Sequence, residues 1–180
     1  TRQNDIEPCV LELPASYNLI NQVKMVLGVD DFEKAEVVKV ECIHPFLEEL
    51  LPLEEADVDL VSDMADCISR MEETDGELLK FCAVLEVERP DLMIDAVDIA
   101  CDMDNYERIT EGLYEYGQSV LRRHGADNEL LQAMEGYMDF EKLGEDSMLE
   151  DGVRQTEFGL IRKISEPFPR PGCEQEIGGM

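Results

Sequence analysis

The chain has 180 residues, with 43 Asp+Glu against 15 Lys+Arg, a formal charge of −28 and 44% hydrophobic residues. Highly charged chains of low hydrophobicity stay unfolded, whereas this one has the apolar content to bury a core, so the acid is carried on a folded surface. Such a surface lacks the basic footprint of a nucleic-acid binder, disfavours anionic membranes and favours fast encounter with basic partners.

In chain order, Cys9, Leu11 and Leu13 alternate with Val10 and Glu12, which predicts a short strand ended by Pro14. Leu19, Ile20, Val23, Val26 and Leu27 recur at helical spacing, and Gly28 follows as a C-terminal cap. Val38, Val40 and Cys42 alternate again and predict a second strand, making the opening a strand–helix–strand unit. The middle reads as three short helices. Leu60, Val61, Met64, Ile68 and Met71 form one stripe, with Asp57 near its start. Asp75 is placed to cap a second helix bearing Leu78, Leu79, Cys82 and Leu85. Pro90 suits the first turn of a third, with Ile94, Val97 and Ala100.

Tyr106 to Thr110 predicts a strand, and Leu113, Tyr116, Val120 and Leu121 a helix stopped by Gly125. Leu130, Leu131 and Met134 predict another helix, and Asp139 caps a further one through Leu143. Residues 153–158 and 160–164 flank Gly159 as a hairpin, and the Pro-rich stretch after Ser165 predicts a loose tail. The fold class is therefore α+β. The expected domains are an N-terminal α/β unit (1–52), a central acidic helical domain (53–103), a C-terminal α+β domain (104–165) and a tail (166–180).

The charge is concentrated. From Pro45 to Glu111 stand 21 acidic residues against four bases, Arg70, Lys80, Arg89 and Arg108, a net −17. The carboxylates predicted to form a partner-binding surface are Glu48, Glu49, Glu54, Glu55, Asp57, Asp59, Asp63, Asp66, Glu72, Glu73, Asp91, Asp95, Asp98, Asp102, Asp104, Glu107 and Glu111. Side chains three or four apart on a helix face lie about 5–6 Å apart, and double-stranded DNA presents one charge per about 1.7 Å of axis. A rigid array of this kind competes for proteins that grip DNA. The plainer alternatives are a solvated acidic face or a halophile-type surface. Ordinary surfaces intersperse both signs, and a halophile surface spreads its acid evenly.

Enzyme chemistry has no motif behind it. His44 precedes Pro45 and His124 precedes Gly125, both at predicted element ends, with no nucleophile motif beside them. Neither a phosphate-binding nor a dinucleotide glycine pattern occurs. Asp102-Met103-Asp104 begins like a calcium loop, but Tyr106 and Glu107 stand where a ligand and a glycine are needed. No catalytic residue, metal site or cofactor is expected. Six cysteines (Cys9, Cys42, Cys67, Cys82, Cys101, Cys173) include no C-x-x-C pair, which suits a reduced, cytoplasmic protein. No apolar run is long enough for a membrane helix. The start, Thr1-Arg2-Gln3-Asn4-Asp5, lacks a signal pattern and an initiator Met, and a processed or truncated start is expected.

One segment carries a resemblance. Glu129 to Asp146, with Leu130, Leu131, Tyr137, Asp139, Phe140, Gly144 and Asp146, resembles the antirestriction motif of ArdA-type antirestriction proteins: a Leu-rich helical turn, an aromatic-Asp-aromatic triplet, then Gly, a basic residue and Asp. Glu145 stands in place of the basic residue, and Met138 lies beside Tyr137 at the triplet's opening. The hairpin from Gly152 to Ile164 and the Leu13-Pro14-Ala15 approach to the first helix are also similar to the family, particularly its gut Firmicute branch on mobile elements. The resemblance covers about residues 9 to 165. It implies an elongated chain of small domains, a homodimer, and mimicry of bent DNA that occupies the DNA groove of type I restriction–modification enzymes, on their methyltransferase and specificity subunits. The alternative function is an acidic protein-interaction module, or a mimic aimed at a nucleoid protein or a CRISPR effector.

Overall fold

The computed structural model describes residues 8–35, 37–54 and 57–168. The α+β class holds: the described residues form eight α-helices and one three-stranded antiparallel sheet. The chain divides into two compact units, the first ending at Met103 and the second beginning at Asp104.

In the first unit, α1 (Tyr17–Leu27) is capped by the Ser16 side chain, which accepts from the Leu19 N–H, and is closed by Gly28 at φ 68°. It buries only Val23. A 3-10 turn at Phe32–Lys34 follows, and Lys24 lies over the buried Phe32 ring at 4.9 Å. Four helices then build the core: α2 (Pro45–Leu50), α3 (Val58–Glu72), α4 (Glu77–Glu88) and α5 (Met93–Cys101). Asp57 caps α3 by accepting from the Leu60 N–H at 2.8 Å. α4 is buried at five consecutive positions, Phe81 to Leu85, because α2, α3 and α5 all pack against it. A helix apolar all round is one enclosed by neighbours. Leu47 and Leu51, Met64, Cys67 and Met71, and Met93, Ala96 and Val97 close the core around it.

In the second unit, β1 (Tyr106–Ile109) leads into α6 (Leu113–Arg123), α7 (Asn128–Met134) and α8 (Phe140–Glu150), then the hairpin β2 (Val153–Thr156) and β3 (Gly159–Lys163). The strand order is β1-β3-β2, with Tyr106 opposite Lys163 and Val153 opposite Arg162. Ile109, Val153 and Leu160 face the helices and pack with Tyr116, Met148, Leu113, Val120 and Leu149. On the other sheet face Ile161 is fully buried, Tyr106 stacks on Phe168 at 6.4 Å, and the Arg154 guanidinium lies 6.0 Å from the Phe168 ring centroid. The two-residue hairpin turn, Glu157-Phe158, is tied by the Thr156 hydroxyl, which donates to the Gly159 carbonyl at 2.7 Å and accepts from the Phe158 N–H at 3.1 Å. That side chain supplies the turn chemistry that the dipeptide itself lacks. Helices α6 and α8 cross through Gly117 and Gly144, each facing backbone of the other helix.

Several expected elements are corrected. Neither Cys9–Leu13 nor Val38–Cys42 forms a strand; among the described residues the only sheet lies in the second unit. Alternation shows which side of a strand is apolar but cannot supply a hydrogen-bonding neighbour. Val10, Val38 and Ile43 are exposed accordingly. The cap of α4 is Gly76 in the left-handed conformation (φ 78°), not Asp75. Pro90 lies ahead of α5, which starts at Met93 after the Leu92 cap. Asp139 does cap α8, through the Lys142 N–H, but α8 runs to Glu150 rather than stopping at Leu143. The start of the tail is not loose, because Phe168 is buried on Tyr106 and Pro167 lies against Gly152. The expectation for residues 169–180 falls outside the described residues.

A polar contact closes the second unit. Asp151 accepts from the Tyr116 hydroxyl at 2.6 Å and from Arg123 at 2.8 Å. Burial pushes the Tyr116 phenol up to about 12, with the bond to Asp151 adding to it. Burial works against the Asp151 charge as well, but the hydrogen bonds from Tyr116 and Arg123 outweigh it and hold its carboxyl below the usual range. A lowered native pKa stabilises the fold fully above the unfolded carboxylate value near 3.9 and loses that contribution as pH falls through the native value. Tyr116→Phe is therefore expected to cost about 1 kcal/mol at pH 7, since the site is partly solvated. The gap between variant and parent should shrink near pH 2.5 in urea unfolding. A gap that stays constant between the two pH values would show that Asp151 contributes nothing through its charge.

Candidate partner-binding surface

A carboxylate belongs in water unless it is paired, so exposure was the expectation for the predicted set. Glu48, Glu49, Glu54, Asp57, Asp59, Asp63, Asp66, Glu72, Glu73, Asp91, Asp95, Asp98, Asp102, Asp104, Glu107 and Glu111 are all exposed. Glu55 lies outside the described residues. What matters next is which helix face each one shares and whether a base neutralises it.

On α3, Asp59, Asp63 and Asp66 stand at intervals of four and three, one face of the helix, while Met64, Cys67 and Met71 turn inward. Asp57 adds a carboxylate at the cap, and Glu72 and Glu73 at the far end. From Asp57 to Glu73 the six carboxylates cover about 24 Å at 1.5 Å per residue, roughly one per 4 Å against one per about 3.4 Å for a single DNA strand. α5 repeats the arrangement: Asp95, Asp98 and Asp102 follow at intervals of three and four, opposite the buried Met93, Ala96 and Val97. α3 and α5 pack directly on each other, so the two acidic faces belong to one packed pair of helices. Glu48 and Glu49 ride on α2, which packs on α4.

Few bases offset this array. Among the described residues, Asp59, Asp63, Asp66, Asp91, Asp95 and Asp98 make no ion pair. Arg70 continues the acidic face of α3, but its guanidinium turns back to the Asp66 carbonyl and the Cys67 sulfur. Lys80 pairs with Glu77 on α4, Lys39 with Glu41, and Arg89 donates to the Glu86 carbonyl. Glu72 is held by His44 Nε2 at 2.6 Å, which gives this predicted element-end histidine a tethering place at the start of α2. In the second unit Glu107 faces Arg162 across the β1–β3 ladder and pairs with it. Glu107 is thus a partly neutralised member of the set, and Glu72 one engaged by a hydrogen bond.

The motif-like segment of the second unit is distributed between scaffold and surface. Leu131 and Phe140 are buried, Phe140 edge-on to Tyr114 at 5.4 Å. Asp139 caps α8 and Gly144 makes the α6 crossing. Leu130 and Asp146 are exposed, and Tyr137 stands 95% exposed. His124 ends α6 and is exposed. Among the described residues no group of three or more His, Cys, Asp or Glu is placed to hold a metal ion. No helix among them is long and apolar enough to cross a membrane. The feature that sequence reasoning missed is the packing of α3 on α5, with Cys67 buried in the inward face of α3. Its one signal was that Cys67 stands at helical spacing from Met64 and Met71.

Residues 63–116 match a protein family of unknown function, DUF6329. That stretch runs from the middle of α3 through α4, α5 and β1 into α6. No curated protein and no solved structure matches the chain.

Proposed function

We propose that this protein is a DNA mimic that inhibits a DNA-processing enzyme by occupying its DNA groove, with a type I restriction–modification complex as the target. The observation that supports this reading is the pair of packed helices, α3 and α5, whose outward faces carry Asp59, Asp63, Asp66, Asp95 and Asp98 with no ion pair among the described residues. Phosphate contacts supply most sequence-independent affinity of DNA-binding proteins. A mimic needs charge spacing rather than base edges, and one mimic can therefore serve enzymes of different sequence preference. A preformed protein surface also avoids the energy that real DNA spends on bending, of order a few kcal/mol for a typical site. The resemblance of residues 129–146 to the antirestriction motif supports the choice of target and a homodimeric state.

The test is displacement of a duplex from a type I methyltransferase core by the full chain at two salt concentrations. The expected result is displacement near one-to-one stoichiometry that weakens at least tenfold between about 50 and 200 mM salt, as a groove lined with lysine and arginine requires. No displacement at the lower salt would overturn the type I target. Displacement of DNA from a nucleoid protein or CRISPR effector under the same conditions would then move the mimicry to that partner.

A further inference from the structure

We propose that residues 37–43 are an unpaired strand whose partner is the same segment of a second copy of this chain, set antiparallel about a two-fold axis through Val40. The proposal goes beyond the homodimeric state inferred above by giving it a contact, and it does not need the DNA-mimic reading to be right.

The segment Val37-Val38-Lys39-Val40-Glu41-Cys42-Ile43 is rich in β-branched residues, yet it belongs to no sheet. Lys39 and Glu41, two residues apart, pair with each other, as side chains on one side of an extended chain can. Val37, Val38, Lys39, Glu41 and Ile43 are exposed, and Val40 and Cys42 are half-buried. Among the described residues, the backbone of residues 37–43 makes no hydrogen bond. Unpaired strand groups of this kind are a template for another chain. Strand addition draws its affinity from those main-chain bonds and its specificity from the facing side chains.

The order of the residues selects the occupant. Reversed about Val40, the segment sets Val37 opposite Ile43, Val38 opposite Cys42 and Lys39 opposite Glu41 of the second copy, with Val40 opposite its own counterpart. Two-fold symmetry repeats each unlike pair, which gives seven facing pairs, five apolar and two of opposite charge. No neighbouring register does this. A shift of one residue sets both charges against apolar side chains. A shift of two sets Lys39 against Lys39 or Glu41 against Glu41, and parallel pairing does both. The segment is also neutral, so contact there adds no repulsion of its own between chains of net charge −28. Residues 9–13, the other alternating segment outside the sheet, do not fit. They carry only Glu12, so a register that gives Lys39 its partner leaves Glu41 without a base. Two seven-residue strands cover less than the roughly 800 Å² per partner of a standard interface, and a dissociation constant of order 100 μM is expected.

The experiment follows the full chain by sedimentation at about 150 mM salt, where repulsion between exposed charges is screened beyond about 8 Å. The parent should pass from monomer to dimer between about 5 and about 500 μM. Lys39→Glu and Glu41→Lys each turn two opposite-charge pairs into two like-charge pairs, and each alone should self-associate at least about tenfold more weakly. Mixed one to one, they should dimerise to within about threefold of the parent, because each supplies the charge that the other lacks. Both altered side chains are exposed and lie outside the core of α2 to α5, so the circular dichroism of the variants should match the parent's. Hydrogen exchange locates the contact. Amides of alternate residues within 37–43 should exchange about threefold more slowly at the higher concentration in the parent, and not in Lys39→Glu. A parent that stays monomeric at the higher concentration would overturn the proposal. So would a Glu41→Lys variant that associates more tightly than the parent, the outcome of lowered net charge alone. A dimer whose 37–43 amides exchange equally at both concentrations would place the contact elsewhere and overturn it too. DNA displacement does not enter any of these readouts, so failure here leaves the mimic reading standing.

Discussion

Replacing Gly117 with alanine is expected to destabilise the second unit by about 3 kcal/mol, even though the same change in an isolated helix stabilises by about 1 kcal/mol. A methyl group at Gly117 would stand 2.0 Å from the Phe140 carbonyl oxygen and 3.0 Å from the Gly144 nitrogen. A methyl group at Gly144 would stand 2.0 Å from the Leu113 carbonyl oxygen. These neighbours are backbone, so no side chain can rotate away, and the helices must separate by more than an ångström to make room. Separation would strip contacts from Tyr116 and Met148, which sit one residue before Gly117 and one turn after Gly144 in the core facing the sheet. Total stabilities of about 5–15 kcal/mol make such a loss a large fraction of what the unit has.

The effect should be non-additive. Once Gly117→Ala has spread the crossing, Gly144→Ala should cost much less than it does alone, because both act on one gap. Gly125→Ala provides the contrast: an added methyl group there meets nothing within 4 Å, but φ is +96°, so its cost is conformational, about 1 kcal/mol. Urea unfolding followed by circular dichroism measures all four variants. A Gly117→Ala variant within about 0.5 kcal/mol of the parent would mean that the α6–α8 crossing relaxes freely, and the account of the second unit's core would be wrong.

The contrast between these glycines and the rest of the chain shows which links of the argument a sequence exposes. Apolar residues at helical spacing predicted α3, α4 and α6, because a stripe is a property of the segment itself. Strand pairing is a property of two segments. Val38, Val40 and Cys42 have the alternation and no neighbour, whereas Tyr106–Ile109 found one in β3, more than 50 residues onward. Caps divide in the same way. Asp57 and Asp139 each act on an amide three residues ahead, within reach of local reasoning. Asp75 was displaced by Gly76, because the turn after α3 needs a positive φ that glycine supplies. The exposure of the acidic set was legible from charge alone. The packing of α3 on α5, and the burial of Cys67 that goes with it, depend on contacts between segments that no local pattern encodes. Phe168 hid for the opposite reason: Pro-rich surroundings argued for loose chain, and burial on Tyr106 overrode them.

The acidic array itself carries the second large effect. If inhibition works through distributed charge, any one of Asp59→Asn, Asp63→Asn, Asp66→Asn, Asp95→Asn or Asp98→Asn should weaken displacement of DNA by less than about threefold, the worth of one exposed charge contact. All five together should weaken it about 50- to 100-fold and flatten its salt dependence, because the contributions of separated charges add. Stability should move the other way. These carboxylates have no ion pair to lose among the described residues, and neutralising them relieves repulsion within a chain of net charge −28. A five-fold variant that unfolds at higher urea yet displaces less DNA separates lost recognition from lost structure. One Asp→Asn change that abolishes displacement by itself would overturn the array and point to a discrete hot spot instead. A five-fold variant that displaces DNA as well as the parent would take α3 and α5 out of the interface, leaving their acid to keep the protein in solution.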